Sequence, residues 1–198
     1  TGVVANLGTD IIEELSTGAN EAALKINAFT AAQWTSLNTA QVQSLINVDK
    51  ISNKNLALLT TTQLNDMSED QVVKLTDAQV SKLTATQISP ATGSKLSDAF
   101  FAAIDKGAIK GLTAAQFKNM TPSAVGALTV DQVPNLKKEL LAALNEDQAK
   151  ALTGDQLAVL IKEQTQAIKV ERLANMTTSD QLTKLNVADL TNKQVASL

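Results

Sequence analysis

The chain has 198 residues and a formal net charge of -3, and its 44% hydrophobic and 19% charged residues are typical of a protein that buries a core. It contains no cysteine and no histidine, which excludes disulfides, most zinc sites and the common nucleophile–base pairs. Because no Lys/Arg block and no apolar run of roughly 20 residues is present, we expect neither nucleic-acid binding nor membrane insertion.

A phrase of eight residues recurs along the chain. Its first residue, here called the anchor, is large and apolar; the second is usually Thr, the fifth usually Gln, and the sixth again apolar. In the phrase that begins at Leu112, Thr113 and Gln116 have the spacing of a capping box, while Leu112 and Phe117 flank it as a hydrophobic staple. Each phrase therefore predicts the start of a helix.

The anchors follow the chain from end to end. In order they are Leu7, Leu15, Leu24, Phe29, Leu37, Leu45, Ile51, Leu59, Met67, Leu75, Leu83, Ile88, Leu96, Ile104, Leu112, Met120, Leu128, Leu136, Leu144, Leu152, Leu160, Ile168, Met176, Leu185, Leu190 and Leu198. From Ile88 to Met176 the spacing is always eight residues. The spacing changes predict bends or altered turns, and they fall at Leu15–Leu24–Phe29, Leu45–Ile51, Leu83–Ile88 and Met176–Leu185–Leu190.

Three structures could carry a period of eight residues. In one continuous helix, eight residues overshoot two turns by about 80°, so the apolar stripe would spiral around the helix. In a strand, the anchor and the sixth residue would lie on opposite faces, and the recurring Ala, Gln and Asp disfavour strands. A helix that restarts at every phrase remains.

Such a helix is far shorter than the roughly 12 residues that an isolated helix needs in water, so it must stack on its neighbours. The sequence therefore predicts an all-α solenoid, or superhelix, of short helices with buried anchors and buried sixth residues. We expect a single repeat domain over residues 1–198. Because the chain lacks an initiator Met and ends within the pattern, we also expect it to be a fragment of a longer protein.

Two regions depart from the pattern. Between Ile88 and Leu112 the Gln is replaced by Thr92, Phe100 and Ala108, and Phe100 with Phe101 predicts a thicker core there; an aromatic binding patch is the less favoured alternative. Good caps are also missing in residues 137–144 and in residues 160–172, where Ile161 and Lys169 occupy cap positions. Longer helices are predicted in these two stretches.

Glutamine is the polar residue that the pattern repeats most. We assign it the capping-box role, and a ladder of amides that binds a glycan is the alternative. The residues concerned are Gln33, Gln41, Gln63, Gln71, Gln79, Gln116, Gln132, Gln148, Gln156, Gln164 and Gln194. Trp34, at a sixth position, is predicted to lie in the core.

The remaining chemistry is sparse. The carboxylate groups Asp10/Glu13/Glu14, Glu69/Asp70 and Glu146/Asp147 are assigned to first helical turns, where they complement the helix dipole. The segment Thr92-Gly93-Ser94-Lys95 is only part of a phosphate loop and is assigned to a turn. We predict no catalytic residue, no cofactor and no metal site. The rival class is an enzyme or toxin domain that uses Ser or Lys.

Runs such as Leu-Thr-Asp-Ala-Gln-Val (75–80) and Leu-Thr-Val-Asp-Gln-Val (128–133) resemble the Leu-Thr-x-x-Gln tandem tracts of large secreted bacterial proteins of the RTX and adhesin kind. The resemblance implies an extracellular or cell-surface module, acting as a spacer or as a platform for a protein or glycan partner. The Gly-Gly-x-Gly-x-Asp calcium repeats of RTX proteins are absent. The alternative is a secreted effector, or toxin-associated domain, that binds a host protein in a solenoid groove.

Overall fold

A computed structural model describes residues 6–17, 25–88, 96–176 and 179–198, and within these ranges all regular structure is helical. The α-helices are α1 Thr9–Leu15, α2 Ala31–Thr35, α3 Thr39–Gln43, α4 Asn53–Leu56, α5 Thr61–Asn65, α6 Glu69–Val72, α7 Asp77–Val80, α8 Ala85–Ile88, α9 Asp98–Ala103, α10 Ala114–Asn119, α11 Pro122–Gly126, α12 Lys138–Ala142, α13 Glu146–Ala151, α14 Gly154–Ala158, α15 Lys162–Ala167, α16 Val170–Leu173, α17 Ser179–Lys184 and α18 Asn192–Val195. Five 3₁₀ helices span Lys25–Ala28, Val48–Lys50, Ile109–Gly111, Val133–Asn135 and Val187–Asp189. The predicted all-α class is confirmed.

Helices restart because most phrases supply their own cap. In α10 the hydroxyl of Thr113 accepts from the backbone N–H of Gln116 at 3.3 Å, and the Gln116 side-chain oxygen accepts from the Thr113 N–H at 2.7 Å. The helix ends at Met120, whose backbone is extended (φ -65°, ψ 146°). Complete capping boxes also begin at Thr30, Asn38, Thr60, Ser68, Thr76, Asn145, Thr153 and Thr191.

The anchors form one continuous core. Every residue predicted as an anchor from Leu37 to Leu190 is at most 9% exposed, as expected of the core. Leu7, Leu15 and Phe29 are partly buried against this core, and Leu24 lies outside the described residues. The prediction is wrong for Leu198, which is 55% exposed.

Helices pack against the helix three phrases further along the chain. This holds for the pairs α11 with α13, α12 with α15 and α14 with α17. Two of these contacts depend on glycine: a Cβ on Gly126 would lie 2.8 Å from the carbonyl oxygen of Ala151, and a Cβ on Gly154 would collide with Asp180. At both positions one helix backbone therefore approaches the next without an intervening side chain.

The predicted longer helices at 137–144 and 160–172 are wrong, because α12, α15 and α16 are separate short helices. The anchors between them stay extended, and side chains from later phrases occupy their carbonyls. Gln164 donates to Leu136 at 2.7 Å, and Gln194 donates to Ile168 at 2.8 Å. Each helix therefore ends at a buried anchor whose carbonyl accepts this long-range hydrogen bond. It ends there even when the next helix has no good cap.

Most spacing changes coincide with altered turns, as predicted. The shortened steps at Leu45–Ile51 and Leu185–Leu190 contain the 3₁₀ helices Val48–Lys50 and Val187–Asp189, and Lys25–Ala28 follows Leu24.

Ile88 is not an anchor. It is the sixth residue of the Leu83 phrase, in which Thr84 and Gln87 make both capping hydrogen bonds, at 2.8 and 3.1 Å. The extra residues of this step are 89–95, outside the described ranges.

Phe100 and Phe101 are packing residues. They are 3% and 1% exposed, and their ring centroids lie 6.0 Å apart at an interplanar angle of 86°. Neither ring is available as an exposed aromatic patch. Thr92, which belongs to the same predicted region, lies outside the described residues.

We expect Thr113→Ala and Thr129→Ala each to lower the free energy of unfolding by roughly 0.5–2 kcal/mol, because each removes a cap. Leu128→Ala, which truncates a side chain that is 3% exposed, should cost about 2–5 kcal/mol. Urea denaturation followed by far-UV circular dichroism measures all three. Equal, negligible effects would contradict the assigned roles of cap and anchor.

Gly126→Ala and Gly154→Ala should each lower the free energy of unfolding by about 1–3 kcal/mol, although alanine is the better helix former, because the methyl group pushes two helices apart. Gly8→Ala is the control, since a Cβ there meets nothing within 4 Å. If all three variants melt alike, the close approach of the helices is not a constraint on the fold.

Candidate functional site

The repeated glutamines do more than cap helices. The side-chain oxygen of Gln156 accepts from the Thr153 N–H at 2.9 Å, as the capping box predicts. Its side-chain nitrogen donates to the carbonyl of Val125 at 3.0 Å and to that of Leu128 at 2.7 Å, which are 31 and 28 residues earlier. Gln156 is 1% exposed, so a buried amide ties the start of its own helix to a distant part of the chain.

The same arrangement recurs along the chain and is called here the amide ladder. In each rung, one glutamine donates to an anchor carbonyl and to the carbonyl of the buried residue three positions before that anchor. The rungs are Gln63 to Trp34 and Leu37, Gln71 to Val42 and Leu45, Gln79 to Val48 and Ile51, Gln87 to Leu56 and Leu59, Gln116 to Val80 and Leu83, Gln132 to Phe101 and Ile104, Gln148 to Phe117 and Met120, Gln156 to Val125 and Leu128, Gln164 to Val133 and Leu136, Gln181 to Ala149 and Leu152, and Gln194 to Thr165 and Ile168.

Each rung reaches the junction between two earlier helical segments. Val125 lies at the end of α11, and Leu128 is the anchor that starts the next phrase, so Gln156 joins both to α14. A primary amide is the side chain that can accept one hydrogen bond and donate two at this site. Leaving a buried donor without a partner costs roughly 1–3 kcal/mol. This cost favours glutamine at the position over side chains that cannot make all three hydrogen bonds.

Gln33 and Gln41 stand at the beginning of the ladder. Gln41 donates to the carbonyl of Leu7 at 2.8 Å. Gln33 makes its capping hydrogen bonds with Thr30, and its side-chain nitrogen donates to none of the described residues. In a later phrase, Arg172 replaces the glutamine and donates through Nε to the carbonyl of Leu144 at 3.2 Å.

The acidic pairs take structural positions. Glu69/Asp70 and Glu146/Asp147 lie in the first turns of α6 and α13, as predicted. A hydrogen bond of 2.6 Å from Lys150 lowers the pKa of Glu146, and the same contact raises the pKa of Lys150.

The prediction holds for Asp10 in the first turn of α1, but Glu13 and Glu14 lie beyond that turn. Within the described ranges, no three acidic side chains converge as a metal site. Thr92-Gly93-Ser94-Lys95 lies outside those ranges.

Trp34 is a core residue, as predicted, with no exposed surface. Its ring packs edge-on against Phe29, with centroids 6.1 Å apart. The indole N–H has no hydrogen-bond acceptor in the described part of the chain. Trp34 is therefore a buried packing residue and not a surface anchor.

The surface carries shallow depressions. A cleft of 380 Å³, here called the Phe100 cleft, lies where α9 meets α5 and α6. A more open depression of 340 Å³ lies between α12 and α15, and another of 530 Å³ is lined by residues of α16 and α18. None of the described helices is long and apolar enough to span a bilayer.

No protein-family model matches the sequence, and no curated protein matches it. The geometry of the chain is therefore the ground for any functional assignment.

We expect Gln156→Glu to lower the free energy of unfolding by about 3 kcal/mol or more at pH 7, because a buried carboxylate then faces two carbonyl oxygens. Burial raises the pKa of that glutamate above its unfolded value, so the penalty should grow as the pH rises from about 4. Urea denaturation at several pH values measures it.

Gln33→Glu is the matched control, because that amide has the same cap but no ladder hydrogen bond. It should change the free energy of unfolding by no more than about 0.5 kcal/mol. Equal losses in the two variants would refute the ladder as a source of stability.

Proposed function

We propose that the chain is an α-solenoid that serves as a non-enzymatic structural spacer in a secreted or surface protein of bacteria. The observation that carries the proposal is the amide ladder, which joins each segment to the one about 28 to 31 residues earlier from Gln79 to Gln194 with few departures. A constant offset between contacting segments is the defining property of a solenoid, in which each repeat contacts only its neighbours.

The pattern of helix contacts supports the same arrangement. The helix pairs with the most extensive contact are close in sequence, namely α11 with α13, α14 with α17 and α12 with α15, and pairs of similar separation, such as α4 with α7, recur along the chain. The helix of one phrase packs on the helix three phrases away. Its glutamine amide reaches the end of the helix four phrases away. One superhelical turn of the proposed solenoid therefore contains between three and four phrases.

The accessible surface favours a spacer over an open platform. The chain exposes 9366 Å². A compact protein of 20.9 kDa is expected to expose about 9,000 Å². Most anchors and sixth residues fill the interior, with Val195 (45% exposed) and Leu198 as exceptions, so we infer a solid rod and not a superhelix around a wide groove. A rod held together by buried amides suits the separation of two other parts of a longer protein.

The secreted or surface location rests on the resemblance of the phrases to Leu-Thr-x-x-Gln tracts. The platform for a protein or glycan partner remains the second candidate. The observation that favours it is the depression between α12 and α15, where Lys138, Glu139 and Glu163 place charges of both signs beside Ala142 and Ala167.

Small-angle X-ray scattering of the 198-residue chain tests the rod. The radius of gyration should exceed the roughly 16 Å expected of a globular protein of this length. Duplication of residues 112–167, which is a whole number of phrases, should increase the maximum dimension while the cross-section stays constant. A globular scattering profile, or a duplicated variant that does not fold, would overturn the solenoid proposal.

A glycan array and a pull-down with the same chain separate the spacer from the platform. The spacer proposal expects no saturable partner in either assay. A partner whose binding is lost in Lys138→Ala or Glu163→Ala would replace it with the platform proposal. Thr62→Ala, on an exposed residue of α5, is the control for non-specific loss.

A further inference from the structure

Two consecutive rungs are missing from the amide ladder. The phrases of Leu96 and Ile104 have Phe100 and Ala108 in place of glutamine. The next phrase restores the rung, since Gln116 donates to Val80 and Leu83, 36 and 33 residues earlier. The same offset pairs Phe100 with Leu64 and Met67, and it pairs Ala108 with Val72 and Leu75.

The carbonyls at these positions keep unused capacity. Among the described residues, those of Leu64 and Val72 accept only from the backbone N–H of the following anchors, Met67 at 3.3 Å and Leu75 at 3.0 Å. The carbonyls of Met67 and Leu75 accept from none of the described residues, although these residues are only 8% and 2% exposed. In the intact rungs, each equivalent anchor carbonyl receives a glutamine N–H at 2.6 to 3.0 Å.

The Phe100 cleft lies at this gap. Its 380 Å³ are lined by Leu64, Met67 and Val72 from one side and by α9 with Phe100 from the other. The small side chains of Ala102 and Ala103 leave room in the cleft, and the carboxylate of Glu69 stands at its edge. The cleft therefore has apolar walls, and it lies beside segments whose carbonyls receive no glutamine amide. In the intact rungs the equivalent carbonyls do receive one.

We propose that the Phe100 cleft binds a primary carboxamide with a short aliphatic body. The two carbonyls of a rung are spaced to take both N–H groups of one carboxamide, as the intact rungs show. A carboxylate or ester has no N–H to donate, and a carboxylate is also repelled by Glu69. The ligand is thus a small molecule or a glutamine side chain of a peptide that supplies the missing rung.

Nuclear magnetic resonance on the 198-residue chain tests the proposal with butyramide as the probe. Saturable shifts of the amides of Met67, Val72 and Phe100 are expected, with a dissociation constant of roughly 1–10 mM for so small a ligand. N-acetylglutamine N-methylamide tests whether the ligand is a glutamine side chain of a peptide. If this compound binds and butyramide does not, the site is assigned to glutamine side chains. Absence of saturable shifts with both probes, up to roughly 50 mM, would overturn the proposal.

Two analogues test the chemistry of the ligand. N,N-dimethylbutyramide lacks N–H groups and should bind at least about tenfold more weakly, which is the effect of losing one good hydrogen bond. Equal binding would show that the carbonyls play no part. Tighter binding of n-butylammonium than of butyramide would show a cation site at Glu69 and overturn the carboxamide assignment.

Ala103→Leu should abolish butyramide binding by filling the cleft. Ala142→Leu is the matched control, because Ala142 is also half-buried and lines the depression between α12 and α15. It should leave binding unchanged. Circular dichroism of both variants checks the fold, and butyramide binding that survives in a folded Ala103→Leu protein places the ligand elsewhere.

Discussion

A buried carboxamide, present in most phrases, holds this chain together. Its oxygen accepts from the backbone at the start of its own helix, and its nitrogen donates to two carbonyls about 28 to 31 residues earlier, as Gln156 does with Thr153, Val125 and Leu128. Helices of four to seven residues are unstable alone, since their few internal hydrogen bonds do not offset the cost of ordering them. Where the glutamine is present, the amide couples helix initiation to packing.

Close helix approach is the second requirement for this arrangement. A carboxamide spans a short distance, so the backbones of successive layers must approach closely for the nitrogen to reach both carbonyls. Small residues provide that approach at Gly126 against Ala151 and at Gly111, where a Cβ would collide with the carbonyl of Asp77. Charged residues remain outside, as in the pair of Lys184 with Asp155 at 2.7 Å. The buried polar residues are therefore mostly amides, together with the hydroxyl side chains of Ser16, Thr61 and Thr165.

The sequence predicted the local half of this structure well. A capping box joins residues three positions apart, so the box of Thr113 and Gln116 can be read directly from the sequence. The periodic anchors likewise predicted the core. The other half of each rung was not predictable, because the offset from Gln156 to Val125 depends on how distant phrases pack against one another, and local spacing does not encode that packing. Ile88 was misassigned since an apolar sixth residue resembles an anchor. The Phe100 cleft was not predictable either. The sequence shows that Phe100 replaces a glutamine, but it does not show which carbonyls then lack a glutamine donor.

The phrases without glutamine separate the roles of anchor and amide. Ala124 and Leu140 occupy the glutamine position, yet α11 and α12 form with their anchors Met120 and Leu136 buried. Lys137, which precedes α12, provides no side-chain cap either. Anchor burial thus decides that a phrase folds into a short helix, whereas the amide decides which earlier junction that helix rests on. An isolated missing rung leaves the register to its neighbours, whereas the Phe100 cleft lies where two consecutive rungs are missing, at Phe100 and Ala108.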